Sequence, residues 1–181
     1  MKSTGIVRRI DELGRIVIPK ELRRSFHIRE GDLLEIYTGN TEEIIFKKHS
    51  VVKHSSGTMN RYSEILSRSI GMPTLISDKE SIVAACGTSR KEFIGEKITP
   101  FLREIMEARK SISETENNTA KIKPIEKTKN ECLFMFPIIA NGDLCGSIII
   151  LKNESLKNND LKNIGKIVKI SAEFLGSELE D

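Results

Sequence analysis

The chain has 181 residues, 38% apolar and 30% charged, with seven Phe, two Tyr and no Trp. That is too apolar for a disordered chain, and the length fits one medium domain or two small ones with cores of Ile, Leu and Val. No apolar run approaches the roughly 18 residues that span a bilayer, and the start Met1-Lys2-Ser3-Thr4-Gly5 has no signal-peptidase pattern, so no membrane partner and a cytoplasmic location are expected.

Charge is unevenly divided. Residues 1–53 hold 11 Lys and Arg against 8 Asp and Glu, whereas residues 54–181 hold 18 of each, so the whole net charge of +3 lies in the first segment. Within residues 1–24, seven cations face three anions. A basic end on an otherwise balanced chain points to a polyanion as partner.

In chain order, Ile6–Ile10 is predicted as a strand closed by the turn Asp11-Glu12-Leu13-Gly14. Arg15–Ile18 is a second strand, stopped by Pro19, which lacks an amide hydrogen for a ladder and has φ preset for the start of a helix. Lys20–Phe26 follows as two helical turns. At about 100° per residue, Ile18, Leu22 and Phe26 form an apolar stripe, and Lys20, Arg23 and Arg24 share the opposite side. Such a trio alone is ordinarily a solvated face; Arg8, Arg9 and Arg15 from the hairpin turn the reading toward a binding surface. Leu33–Thr38 and Glu43–Lys48 are predicted strands about a Gly39-Asn40 turn. Four short strands and two helical turns in about fifty residues bury too little surface to stand alone, so two intertwined copies are expected to share one core.

Residues 54–58, around Ser55-Ser56-Gly57, read as a linker between a domain at 1–53 and another at 59–181. From Met59 the apolar spacing becomes helical through Ile70, ended by Gly71 and Pro73. Strands are predicted at Thr74–Ser77 and Ser81–Ala85, and a helix from Pro100 to about Lys110. A polar loop covers Ser113–Thr119, and further strands cover Ala120–Ile125, Cys132–Ala140 and Leu144–Leu151, the last two joined at Asn141-Gly142-Asp143. A final helix, Asp160 to about Leu179, carries Leu161, Ile164, Val168, Leu175 and Leu179 on one stripe, broadened by Ile167 and Phe174 toward a partner helix. The expected class is α+β, with an antiparallel sheet of about five strands and Leu133–Ile139 as a central one.

The run Ser3–Arg24, with its ordered motif Asp11-Glu-Leu-Gly-Arg-Ile-Val-Ile-Pro19, resembles the AbrB family of transition-state regulators, and Gly31-Asp32, Leu34–Tyr37 and Phe46–Lys48 extend the likeness. The resemblance implies a swapped-hairpin dimer that contacts double-stranded DNA through Arg8, Arg9, Arg15, Arg23 and Arg24; the helical reading adds Lys20. Residues 59–181 resemble GAF sensor domains in architecture and in pieces such as Pro137–Asp143 followed by Gly146. An AbrB-like module followed by a GAF-like one is similar to sporulation regulators of endospore-forming bacteria. It implies activation or repression of sporulation genes, at the nucleoid and in the developing spore, and a tetramer if the second domains also pair. It also implies a small-molecule site in the GAF-like domain, whose ligand the sequence does not identify. Cys86, Thr88, Ser89 and Arg90 are the residues expected on its rim.

Rival readings are weaker. Swapped-hairpin antitoxins carry an acidic disordered tail, where this chain has a charge-balanced second domain. No Gly-rich phosphate loop, paired His ligands or Gly-x-Ser-x-Gly is present, and Thr88-x-x-Lys91 reads as a loop, so no catalysis is expected. Cys86, Cys132 and Cys145 form no Cys-x-x-Cys pair and lie far from His27, His49 and His54 in sequence, so buried thiols are expected, with no metal and no certain cofactor. The sequons at Asn117 and Asn153 have no meaning without secretion.

Overall fold

A computed structural model describes residues 4–39, 42–113, 121–152 and 161–180. The protein divides into two compact units, Met1–His49 and Ser50–Asp181, and is α+β throughout.

The first unit holds helix α1 (Lys20–Ser25) and an antiparallel ribbon of β1 (Leu34–Thr38) and β2 (Ile44–Lys48), with Leu34 opposite Lys48 and Thr38 opposite Ile44. Asn40, half of the predicted turn between them, lies outside the described residues. Pro19 precedes α1, and Phe26 then His27 close it, His27 at φ 52°. The strands predicted at 6–10 and 15–18 are not formed in this chain. Those segments are instead the arms of the Asp11–Gly14 turn, which Asp11 N–H to Arg15 O (3.1 Å) and Gly14 N–H to Asp11 O (2.9 Å) close. An isolated two-stranded ribbon is marginal in water, and most apolar residues of these arms stay exposed, Ile18 being half-buried. Val7 is 85% exposed, Leu13 and Val17 74%, and Phe26 60%. Pro19 is the only buried residue among the described residues of this unit.

The second unit opens with α2 (Val51–His54) and α3 (Ser56–Ile70). The run 54–58 is therefore largely helical and not an open linker. Ser50 Oγ caps α2 by accepting from the Lys53 amide, and Met59 N–H bonds Ser55 O, which carries the helical path across the junction. Burial explains the shift, because Val52 and Met59 sit in this unit's core at 0% and 1% exposure and draw the intervening residues in with them. Gly71, at φ 68°, ends α3 in the left-handed conformation that glycine adopts without strain.

The sheet comprises β3 (Thr74–Asp78), β4 (Ile82–Cys86), β5 (Cys132–Ala140) and β6 (Asp143–Leu151), ordered β4-β3-β6-β5 and antiparallel throughout. It has four strands among the described residues, not five. The predicted strand at 120–125 forms no ladder among the described residues: it makes a bridge from Ile125 to Ile98, and its Ile122 carbonyl accepts from Cys132 N–H at 2.7 Å and its Pro124 carbonyl from Thr99 N–H at 3.0 Å, while Pro124 has no amide to extend a ladder. Ala120 and the polar loop through Thr119 lie largely outside the described residues. β5 proves to be an edge strand. Its nearly unbroken apolar run reflects cover on both faces, which says nothing about position in the strand order.

One face of the sheet, with Ile76, Phe134, Ile138, Ile148 and Ile150, packs under Leu66 and Ile70 of α3 and under Ile164, Val168 and Leu175 of α6 (Leu161–Glu178). The other, with Leu75, Met135 and Ile149, packs against Phe93 of α4 (Arg90–Phe93), Leu102 and Met106 of α5 (Pro100–Glu107), and Ile122 and Ile125. α5 starts where expected: Pro100 occupies its first turn, and Thr99 Oγ1 accepts the Leu102 amide at 3.3 Å.

Candidate nucleic-acid interface

The cationic residues singled out from the sequence fall on two local scaffolds. Arg8, Arg9 and Arg15 lie on the arms of the Asp11–Gly14 turn, and Lys20, Arg23 and Arg24 on one side of α1; all six are exposed. The turn is built by one carboxylate. Asp11 Oδ1 accepts the amides of Leu13 (3.0 Å) and Arg15 (2.8 Å), and Asp11 Oδ2 accepts Arg15 Nε at 2.7 Å. The Arg15 amide first, and its guanidinium second, hold the Asp11 carboxyl below its usual range. Gly14, at φ 74°, supplies the left-handed step that closes the loop.

On α1, Arg23 N–H bonds Pro19 O (3.0 Å), so the proline fixes the first turn from which the cations project. Ile28 N–H returns to Arg23 O (2.7 Å) and His27 N–H to Arg24 O (3.1 Å), so the C-terminal carbonyls beside both arginines are satisfied by the chain itself. None of Arg8, Arg9, Lys20, Arg23 and Arg24 meets a carboxylate among the described residues, which leaves their charge for an external anion. Asp11 was not anticipated as part of the site. Its signal was present in Asp-x-x-Gly-Arg, an aspartate placed to bond backbone amides two and four residues on.

The residues expected to rim a small-molecule site lie at the end of β4 and just beyond it. Cys86 and Thr88 are half-buried, and Ser89 and Arg90 exposed. Arg90 is engaged by α3: its Nη2 donates to Asn60 Oδ1 at 2.7 Å, and its Nη1 lies 4.0 Å from Glu64 Oε1. Between the sheet and residues 90–110, Phe93, Leu102 and Met106 are each 0% exposed and fill the interior. Cys132 is buried, and desolvation pushes its thiol pKa up to about 12.

An exposed arginine-bearing turn and helix, joined to an α+β unit of a different build, is the layout of a two-part transcription factor. Residues 56–180 match the family described as "Stage V sporulation protein T C-terminal, transcription factor", and residues 7–53 match "Antidote-toxin recognition MazE, bacterial antitoxin". The whole chain is 36% identical to stage V sporulation protein T of Bacillus subtilis (strain 168), over 99% of both chains. This chain belongs to the stage V sporulation protein T family. Its first unit is similar to the N-terminal DNA recognition domain of Bacillus subtilis AbrB, with 64% identity over 28% of this chain and 92% of that one and a TM-score of 0.25. Its remainder is similar to the nlh2 GAF domain of A. aeolicus, with 19% identity over 67% of this chain and 82% of that one and a TM-score of 0.47. No helix among the described residues is long and apolar enough to cross a membrane.

Proposed function

We propose that this chain is a sequence-specific DNA-binding regulator of sporulation genes, acting by occupancy of DNA and without catalysis, in the cytoplasm at the nucleoid of the developing spore. The observation that carries the reading is the set of six exposed cations on two short rigid scaffolds, five of them without a carboxylate partner among the described residues. Arginine suits the task because its planar fork grips phosphates bidentately and also matches the O6/N7 edge of guanine. Most of the six are assigned to phosphate positioning and a minority to base reading.

The functional unit is a dimer through the first domain, taken as residues 1–53, with hairpins exchanged between two chains. Support for this comes from Val7, Ile10, Ile16 and Val17 of the two arms, from Phe26, and from Ile36 and Ile44 of the ribbon, all exposed in a single chain. The remainder of the chain serves to associate two such dimers, through an apolar face on α3 and α6. Ligand sensing at Cys86, Thr88, Ser89 and Arg90 is the second reading, and a ligand there has to draw Arg90 from Asn60.

The test is fluorescence anisotropy of the full chain on genomic fragments recovered from sporulating cells. Native protein is expected to bind with log K falling about 0.9 per phosphate neutralised against log salt. Arg23→Ala and Arg24→Ala should each weaken binding about tenfold on the scale of charge-assisted hydrogen bonds, with unchanged melting. Native affinity in both variants, or binding insensitive to salt, defeats the assignment.

A further inference from the structure

Asp11 presents a physical problem for the proposed interface. A carboxylate on the turn that carries Arg8, Arg9 and Arg15 repels phosphate and cancels the charge of one arginine. If the surface served only to attract DNA, the acid would be a defect. The geometry shows what it does instead. Its two oxygens have separate tasks, Oδ1 holding the Leu13 and Arg15 amides and Oδ2 holding Arg15 Nε. With Oδ1 fastened to the backbone, the carboxylate cannot swing away from the guanidinium. Arg15 keeps 72% of its side chain exposed while its Nε is tied. The contact to Asp11 is made through Nε, and the two Nη groups carry the donors assigned here to DNA.

We propose that Asp11 is a positioning residue for DNA specificity: it locks Arg15 Nε so that the paired Nη edge is offered to a guanine O6/N7 edge, and it removes Arg15 from general phosphate attraction. The proposal rests on the DNA-binding reading above. Three physical points carry it. A guanidinium on a flexible stem has to be immobilised before it can discriminate, and a contact made to the turn beforehand lowers that cost on binding. An arginine neutralised by a contacting carboxylate contributes little to the counterion-release term that dominates nonspecific binding, so its remaining contribution is directional. The division of labour is visible in the set itself, because the other five cations meet no carboxylate among the described residues and supply the nonspecific attraction. As a stability element the pair counts for little, since exposed ion pairs contribute marginally. Its value lies in orientation.

The experiment compares two duplexes: one enriched from a random pool by the native full chain, and a scrambled duplex of the same composition. Asp11→Asn keeps an oxygen acceptor for the turn amides but presents an uncharged amide to Arg15 Nε. Its affinity for the scrambled duplex is expected to rise, and the ratio of selected to scrambled affinity to fall about tenfold, the lower end of what one bidentate base contact discriminates. Arg15→Lys retains the charge and the backbone amide but has no fork to lock, and the ratio should fall as far. This second variant decides the matter should Asp11→Asn disturb the turn. In an Arg15→Ala background, Asp11→Asn should no longer change the ratio. An unchanged ratio in Arg15→Lys, or in an Asp11→Asn protein of native melting temperature, overturns the proposal, as does an equal fall in the presence and absence of the Arg15 side chain. Native chain that binds neither duplex overturns the DNA-binding reading itself, whereas native selectivity with indifferent variants overturns only the role of Asp11.

Discussion

At the scale of single residues, the three thiols differ sharply in environment. Cys132 lies on β5 inside the core and its thiol is pushed up to about 12 by desolvation, with the charge of Glu131 second; burial also raises Cys145, whereas Cys86 and Cys145 remain partly accessible. Only the thiolate attacks, so Cys132 should resist a thiol reagent such as DTNB at neutral pH until the chain unfolds, while Cys86 reacts in the native state. Mass mapping of the labelled cysteines checks this, and early labelling of Cys132 would contradict its burial. A group with a raised thiol pKa keeps its proton longer when folded, so above the ordinary value of 9.0 the unfolded chain ionises first. Stability should therefore decline as pH rises from about 9 toward about 12. A Cys132→Ala variant should show a shallower decline in alkaline urea titrations.

At the scale of elements, close backbone approach sets the tightest constraints. A Cβ on Gly176 would stand 2.1 Å from Ile139 O, and one on Gly146 would stand 2.0 Å from Ser77 O, so α6 can settle on β5, and β6 against β3, only where no side chain intervenes. Gly176→Ala should cost about 1–3 kcal/mol by overpacking, despite the gain in helix propensity, because the atom met is backbone and cannot rotate aside. Urea denaturation measures it, and a stabilised variant would contradict the packing. Neither constraint was legible in the sequence, where both glycines fall inside good periodic patterns. The elements themselves were far more legible: β5 has the predicted limits, and α1 and β1 each differ by one residue at one end. The misses have a common physical source. Residues 54–58 look like a joint by composition, yet Val52 and Met59 on either side are core residues, and tertiary burial overrides the local polarity. The arms at 6–10 and 15–18 read as strands because their alternation anticipates a surface that one chain does not supply. At the candidate site, the cations were legible as a charge excess, three of them on one helical side and three on the preceding hairpin. Asp11 was not, because an acid in a basic segment is counted as charge before it is recognised as a hydrogen-bond acceptor.

At the scale of the whole molecule, the distribution of uncovered apolar surface argues for more than one association. In the second unit the core face of α6 is taken by Ile164, Val168 and Leu175, whereas Ile167, Ile170 and Phe174 remain 44%, 64% and 50% exposed on its other side. α3 adds Ile65, 51% exposed, and Tyr62, whose ring stacks on Phe174 with centroids 6.0 Å apart. Residues 167, 170 and 174 recur at the spacing of one helix stripe, so this is a continuous face built on two long helices, suited to a second copy of the same pair. The first unit carries its own uncovered set on the arms and ribbon. On the proposed assembly, dimers formed through the first unit and joined through this face would hold their two DNA-binding ends at high effective concentration. Ile170→Asp places a charge in the middle of the α3–α6 face without touching the core. If this face joins two dimers, sedimentation should show a tetramer for the native chain and a dimer for the variant, with an unchanged melting profile for the first unit. On a duplex with one selected site the variant should bind as the native chain does; on a duplex with two spaced sites it should lose about a hundredfold, the lower range of avidity from linked modules. A tetrameric Ile170→Asp protein would move the second association elsewhere on the surface, and equal affinity for one and two sites in the native chain would show that the second unit does not act by linking DNA-bound dimers.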